Sequence, residues 1–367
     1  MKVLVIGGTG IISSDVCKEC LSQGIDLTIV NRGKRENNID AKLVVADVRN
    51  EKLSVLQSKI GNRNFDVIID FLSYNKNQLK KTASIAKCTQ YVFISTATIY
   101  EENQTHIYSE KDLKGNYGWD YCKNKYEGEI AIKEIAKKQG FKYTIVRPYV
   151  TYSEKRFPYQ ICPGEYYSII YRIKNQLPIP ICGLDSKTTV TSSKDFARGL
   201  VGLLGNEKAF NEDFHITSDN EIKWKEIAEI LAEKFGVRCH FVDFTKEFLK
   251  NNDNRIIDIP EIIYDKSRDM KFNNSKIKLV LPEFSANTMF EESVENIFEY
   301  FTNGKTQKIN YLWSGCLDRL IQNFSGVSIK KEAYSFSSKQ EELMYSIGRS
   351  ELLSNIYDNL KRMKHRR

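Results

Sequence analysis

The sequence predicts an α/β protein built on a doubly wound, mostly parallel sheet with a smaller C-terminal domain. Three observations predict this. Short apolar strands alternate with amphipathic helices as far as Arg147, the first strand runs straight into a glycine cluster and a helix, and the alternation loosens afterwards. With 367 residues, 41% of them apolar, the chain can form one large or two unequal domains. It should bury roughly three quarters of its unfolded surface.

Lys2 to Ile6 reads as a buried strand, Ser14 to Gln23 as a helix and Asp26 to Val30 as a second strand. Lys42 to Ala46 is a third strand, followed by a helix over Glu51 to Ile60 and a strand over Phe65 to Asp70. Gln78 to Lys87 is expected as a helix, Tyr91 to Ser95 as a strand, Tyr121 to Lys138 as a long helix and Tyr143 to Arg147 as a strand. Tyr152 to Pro163 holds two of the seven prolines and reads as an ordered loop near the mouth of a site. Helices are expected over Tyr166 to Lys174, Asp195 to Leu204, Trp224 to Phe235 and Thr288 to Phe301, the last with Glu291 and Glu292 in its first turn. Ser337 to Met363 is largely helical with an interruption at Gly348. Residues 1–165 are thus assigned to the first domain, to which segments such as 185–215 return. Residues 166–304 make mainly the second domain, and 305–367 a helical extension that serves as a packing arm or an oligomer contact.

Lys plus Arg number 55 and Asp plus Glu 47, a formal +8. That excess suits an anionic ligand without demanding nucleic acid. The basic run Lys361 to Arg367 reads as a solvated tail, and no zinc finger, helix-turn-helix or aromatic-interleaved basic motif accompanies it. Eight cysteines do not make a disulfide scaffold. No run of 18 apolar residues occurs, so no membrane span is expected. MKVLVIGG enters a strand at once rather than a signal peptide, which points to a reducing, cytoplasmic setting. Cys17 and Cys20 form a lone C-x-x-C read as buried thiols. The four histidines (His106, His215, His240, His365) share no ligand spacing, so no metal site is expected.

The first strand closes on Gly7-Gly8-Thr9-Gly10-Ile11-Ile12-Ser13, and a helix follows. Glycines permit the tight turn and let backbone N–H groups approach a pyrophosphate, which then faces a helix N-terminus. Ser13 stands where a third glycine is usual. This register predicts a nicotinamide dinucleotide, NAD or NADP, on a Rossmann-like fold. The second strand ends in Asn31-Arg32. An acid there would accept from the adenosine ribose and repel a 2′-phosphate. Asn31 removes the repulsion and Arg32 can pair with the phosphate, a lean towards NADP; Arg32 stacking on adenine or facing water is the alternative. Asp47 can accept from the adenine amino group or simply cap the next helix. Val48, Phe71 and Leu72 are further cofactor-facing positions.

Tyr121 and Lys125 lie four residues apart on one face of the long helix. An ammonium near a phenol favours the phenolate, so Tyr121 can act as an acid or base near neutral pH. The strand ending Ser95-Thr96-Ala97-Thr98-Ile99-Tyr100 brings the Thr96 hydroxyl towards the same carbinol. Glu129 extends the helix face by one turn as a structural partner, and Trp119 borders the substrate or packs nearby.

GGTGIIS, ISTATIY and YCKNKYEGE resemble the extended short-chain dehydrogenase/reductase superfamily, in particular its NAD-dependent epimerase/dehydratase group, over about residues 1–300. The resemblance implies catalysis by Thr96, Tyr121 and Lys125, a glycine motif on Gly7, Gly8 and Gly10, and a nicotinamide passing Arg147-Pro148-Tyr149. Leu177-Pro178-Ile179-Pro180, Gly183, Asp185 and Ser193-Lys194-Asp195 resemble the substrate-domain pattern, which in nucleotide-sugar members contacts the nucleotide diphosphate. A homo-oligomer, such as a dimer, is implied as well. The NRG strand end and Phe272 to Lys278 also resemble the branch containing chloroplast stem-loop RNA-binding proteins, which supplies a rival, RNA-binding reading. Related 4,6-dehydratases carry Asp-Glu directly after the catalytic Thr. Ala97 and Thr98 cannot perform those proton transfers, so the expected reaction is reversible hydride transfer at the carbinol of a nucleotide-diphosphate sugar. An epimerase is the leading expectation, and a dehydrogenase or ketoreductase the alternative.

Overall fold

The computed structural model describes all residues except 36–38, 62–63, 104, 106, 253–255, 305 and 367, together with the side chains of 362–366. His106 and the end of the basic tail thus lie outside the described residues, as does the His365 side chain. The chain divides into two compact units. One comprises 1–153, 189–221 and 270–289, and the other 154–188, 222–269 and 290–367.

The first unit is built on a seven-stranded parallel sheet. Its strands are β1 (Lys2–Ile6), β2 (Asp26–Asn31), β3 (Lys42–Val45), β4 (Asn64–Asp70), β5 (Lys87–Ile94), β6 (Lys142–Arg147) and β7 (Glu212–His215). Their spatial order is β7-β6-β5-β4-β1-β2-β3, every pair parallel. The order reverses between β1 and β4, and the crevice at such a switch point is where open α/β sheets bind ligands. The doubly wound reading therefore holds.

Both faces of the sheet are covered, which is why its central strands are almost continuously apolar. Val3 and Val5 point to one face, packed with Val16 and Cys20 of α1 (Ile11–Ser22) and Phe196 and Leu200 of α5 (Ser193–Gly202). Leu4 and Ile6 point to the other. There they meet Leu56 of α2 (Leu53–Ile60), Leu79 of α3 (Lys76–Thr82) and Ile132 of α4 (Asp120–Gln139). Cys17 and Cys20 are free thiols in the α1 core, and burial pushes both up. Helix α3 corrects the expected span over Gln78 to Lys87. It ends at Thr82, whose hydroxyl meets those of Ser73 and Tyr91, each at 2.9 Å, and Lys87 already begins β5.

The second unit is mainly helical. It includes a helix over Tyr167–Lys174, then α6 (Trp224–Phe235), α7 (Phe290–Asn303), α8 (Tyr311–Ser325), α9 (Lys339–Arg349) and α10 (Glu351–Arg366). Helix α8 lies within the expected helical extension over 305–367 but ahead of Ser337 to Met363, the only helical span the sequence singled out there. Its fully buried Asp318 accepts from Arg172 Nη1 at 2.6 Å, Tyr334 at 3.0 Å and Tyr345 at 2.9 Å. No helix among the described residues is long and apolar enough to cross a membrane.

Candidate functional site

The glycine turn leaves β1 with Gly7 at φ +121° and Gly8 at φ +69°, both left-handed conformations that favour glycine. A Cβ on Gly7 would stand 3.2 Å from Phe71 Cβ and 3.5 Å from Leu72 Cδ2, so Phe71 and Leu72 meet the turn where β4 ends. Thr9 continues the turn, Gly10 caps α1, and Ile11 and Ile12 open the helix. Ser13 explains its departure from glycine. Its hydroxyl, almost fully buried, accepts the Gly10 N–H at 2.8 Å and pins the turn to the helix.

Asn31 Oδ1 accepts the Gly33 N–H at 2.7 Å, which shapes the bend after β2. Asn31 Nδ2 is buried and has no hydrogen-bond partner among the described residues. A buried orphan donor at the end of β2 fits the adenosine ribose, and the Cβ-free turn fits a pyrophosphate. The residues present thus suit a dinucleotide. Arg32 is exposed, as is Arg35, which the sequence reading missed. Arg35 Nη1 donates to the carbonyl of Thr9 at 3.3 Å and so lies over the glycine turn. No periodicity in the sequence marks it, because the loop after β2 folds back to place it there.

Asp47 commits its carboxylate to the following turn, accepting from the N–H groups of Arg49 at 3.1 Å and Asn50 at 3.2 Å and from Asn50 Nδ2 at 3.0 Å. These bonds close the turn ahead of α2 rather than cap the helix, whose N-cap is Lys52, and they engage both oxygens. Val48 and Leu72 line one small hollow with Ser73 and Gln78.

Beside the crevice, β5 delivers Ser95 and Thr96, both buried. The Thr96 hydroxyl lies 3.1 Å from that of Thr98, and the Ser95 hydroxyl is buried without a partner among the described residues. Ala97 N–H donates to the carbonyl of Pro148 at 2.8 Å, so the Thr96 turn is stitched to the chain leaving β6. Cys122 Sγ donates to Thr98 Oγ1 at 3.1 Å, which ties the same turn to α4 next to Tyr121.

On α4, Tyr121 is half-buried in an aromatic wall. Its ring centroid lies 4.9 Å from that of Trp119 and 5.7 Å from that of Tyr74. Lys125 is buried one turn later, and its Nζ donates to the carbonyls of Ser73 at 2.9 Å and Ile94 at 2.8 Å. Burial pushes this ammonium down to about 8, against the opposing pull of Asp70 and Glu129. Two of its three protons are engaged by backbone, which fixes the cation where β4 and β5 end. Glu129, the next residue on this face, forms a buried bidentate pair with Arg147, both bonds 2.8 Å.

Residues 3–216 match the NAD dependent epimerase/dehydratase family. The chain is 23% identical over 250 residues to the chloroplast stem-loop binding protein of 41 kDa b of Arabidopsis thaliana. That match takes in 64% of this chain and 63% of the relative, so the chain spans less than two thirds of the relative's length. Among solved structures, UDP-glucuronic acid 4-epimerase of Bacillus cereus in complex with NAD superposes with a TM-score of 0.64. It is 17% identical and covers 83% of this chain and 99% of that one. UDP-glucose 4-epimerase of Bifidobacterium longum in complex with NAD+ and UDP gives 0.64 at 14% identity, covering 84% and 100%. At these identities both structures speak for the fold.

Proposed function

The chain belongs to the NAD dependent epimerase/dehydratase family, and from that premise we propose that it is a nucleotide-sugar epimerase working by reversible hydride transfer at a sugar carbinol. The observation that carries the reading is the pairing on one helix face of a half-buried Tyr121 with a buried, backbone-anchored Lys125, beside the Thr96 turn. The dinucleotide, when bound, supplies a reversible hydride acceptor. Gly7, Gly8, Thr9, Gly10, Ile11 and Ile12 would hold its pyrophosphate. Asn31 Nδ2 would meet the adenosine ribose, while Val48, Phe71 and Leu72 would border its adenine half and Pro148 its nicotinamide.

Tyr121 takes the carbinol proton as the C–H bond gives up hydride, and returns it when the keto sugar is reduced on its other face. Lys125 favours the phenolate electrostatically and presents its remaining proton to the nicotinamide ribose. Thr96 holds the carbinol oxygen. Ala97 and Thr98 offer no carboxylate for elimination, which leaves epimerisation or simple oxidoreduction.

The test combines calorimetry with product analysis on UDP, dTDP, GDP and CDP sugars. Tyr121→Phe is expected to keep dinucleotide affinity and to lower turnover by roughly 10²–10⁴. Epimerised product without net cofactor consumption supports the proposal. Stoichiometric cofactor reduction with a released keto sugar selects a dehydrogenase, and full activity in Tyr121→Phe overturns the assignment. A second reading, a stem-loop RNA binder, draws on the likeness to the chloroplast protein. It requires RNA affinity that falls steeply with salt and survives Tyr121→Phe, with no response to nucleotide diphosphates.

A further inference from the structure

Arg147, the last residue of β6, is 1% exposed. Its Nε and Nη2 donate to the two carboxylate oxygens of Glu129 on α4, each at 2.8 Å. Its Nη1 donates to the hydroxyl of Tyr100 at 2.7 Å, and Nη2 also lies 2.5 Å from Asp213 Oδ2 on β7. Tyr100 ends the single 3-10 turn Ala97–Ile99 that follows Thr96, and its hydroxyl lies 2.6 Å from His215 Nε2. One planar guanidinium thereby links the elements that carry the three proposed catalytic residues. It reaches the Thr96 turn through Tyr100 and the Tyr121–Lys125 helix through Glu129, and the residue that carries it leads directly into Pro148.

Stability alone does not account for such a hub. Apolar side chains of similar volume in place of a buried ion pair are often neutral or stabilising. What the guanidinium adds is direction, because its fork of donors fits one arrangement of its acceptors. Glu129 sits one helical turn beyond Lys125, and its negative charge favours the protonated ammonium.

We propose that Glu129, Arg147 and Tyr100 are positioning residues that hold the Thr96 turn, α4 and the Pro148 crossing in the mutual geometry required for proton transfer at Tyr121. All three side chains are buried and act through their neighbours, and the proposal rests on the functional reading above.

The full-length protein is compared with Glu129→Gln, Glu129→Asp, Tyr100→Phe and Arg147→Lys, each checked for folding by thermal melt. Dinucleotide affinity is read by calorimetry, kcat and KM on the epimerised sugar, and the titration midpoint of Lys125 by competitive amine labelling and mass spectrometry. In folded variants we expect kcat to fall roughly 10- to 100-fold with KM and dinucleotide affinity nearly unchanged. Glu129→Gln should lower the Lys125 midpoint. Glu129→Asp, which keeps the charge but shortens the reach, should lose kcat while leaving that midpoint close to wild type. Wild-type kcat in folded Glu129→Gln and Tyr100→Phe overturns the proposal even if Arg147→Lys fails to fold. If the wild-type protein turns over no nucleotide sugar, the functional reading fails, and the labelling arm still decides the coupling. A Lys125 midpoint unmoved by Glu129→Gln then overturns the proposal.

Discussion

Gly8 lies so close to Ile29 that a Cβ on the glycine would stand 2.4 Å from Ile29 Cγ2. The turn after β1 therefore rests directly on β2, with no room for a side chain between them. Gly8→Ala meets both this contact and a φ of +69°. The left-handed backbone costs about 1–2 kcal/mol and the overpacking about 1–3 kcal/mol. Denaturant unfolding should show a loss of about 2–5 kcal/mol, together with weakened dinucleotide binding. A loss below 1 kcal/mol would mean that the turn yields freely.

Lys125 gives a pH signature. Its ammonium is pushed down from the ordinary 10.5 to about 8 by burial. The folded state releases this proton first, so between about pH 8 and 10.5 the unfolded chain binds more protons and the group's contribution rises with pH. Below that window the buried charge costs about 3 kcal/mol. Unfolding free energies of wild type and Lys125→Met, followed from pH 7 to 10.5, should diverge in favour of wild type by an amount of this order. Parallel curves would refute the depressed ionisation.

Cofactor choice turns on the loop after β2. With Asn31 in place of an acid, Arg35 over the turn and Arg32 exposed at the end of β2, NADP should bind at least as tightly as NAD. The double variant Arg32→Ala/Arg35→Ala should weaken NADP about tenfold more than NAD, in keeping with the loss of charge-assisted phosphate contacts. Calorimetry with both dinucleotides checks this, and equal weakening of the two would remove the phosphate role.

Much of this site is legible in the sequence because its signals are local. The strand–glycine–helix register from Lys2 to Ser13 and the four-residue spacing of Tyr121 and Lys125 each depend on neighbours within a turn or two. What escapes is held together at long range. Arg35 reaches Thr9 across 26 positions, and Arg172 meets Asp318 across 146. Neither leaves a periodic trace. Helix α8 escapes although Trp313, Leu317, Leu320 and Ile321 fall at helical spacing, since its buried Asp318 interrupts the apolar face. The end of α3 escapes because Thr82 turns its hydroxyl into a buried network that only the folded chain creates.

Asp318 offers a test of that second network. Replacing it by Ala leaves Arg172 buried without its counter-charge and the Tyr334 and Tyr345 hydroxyls without an acceptor. A loss of about 3–5 kcal/mol is expected for the second unit. Asp318→Asn, which keeps an acceptor, should cost less. Fluorescence-detected unfolding distinguishes the two, and a change within 0.5 kcal/mol for the alanine variant, roughly that of an ordinary surface substitution, would contradict the structure.

The seventh strand has a consequence for how the protein is made. Gln90, wholly buried in β5, donates to the carbonyl of Leu203 and accepts from the N–H of Gly205, while Thr144 of β6 donates to the carbonyl of Ala209. These partners, and β7 itself, are synthesised long after the strands they complete. At about 5–20 residues per second, several seconds separate Arg147 from His215 on the ribosome. Throughout that interval β6 is an open edge, and Gln90 lacks two of the groups that satisfy it. The nascent first unit therefore has a built-in delay during which an unpaired strand edge is exposed, and sequence changes that slow translation between β6 and β7 should lower the yield of soluble protein without altering the finished fold.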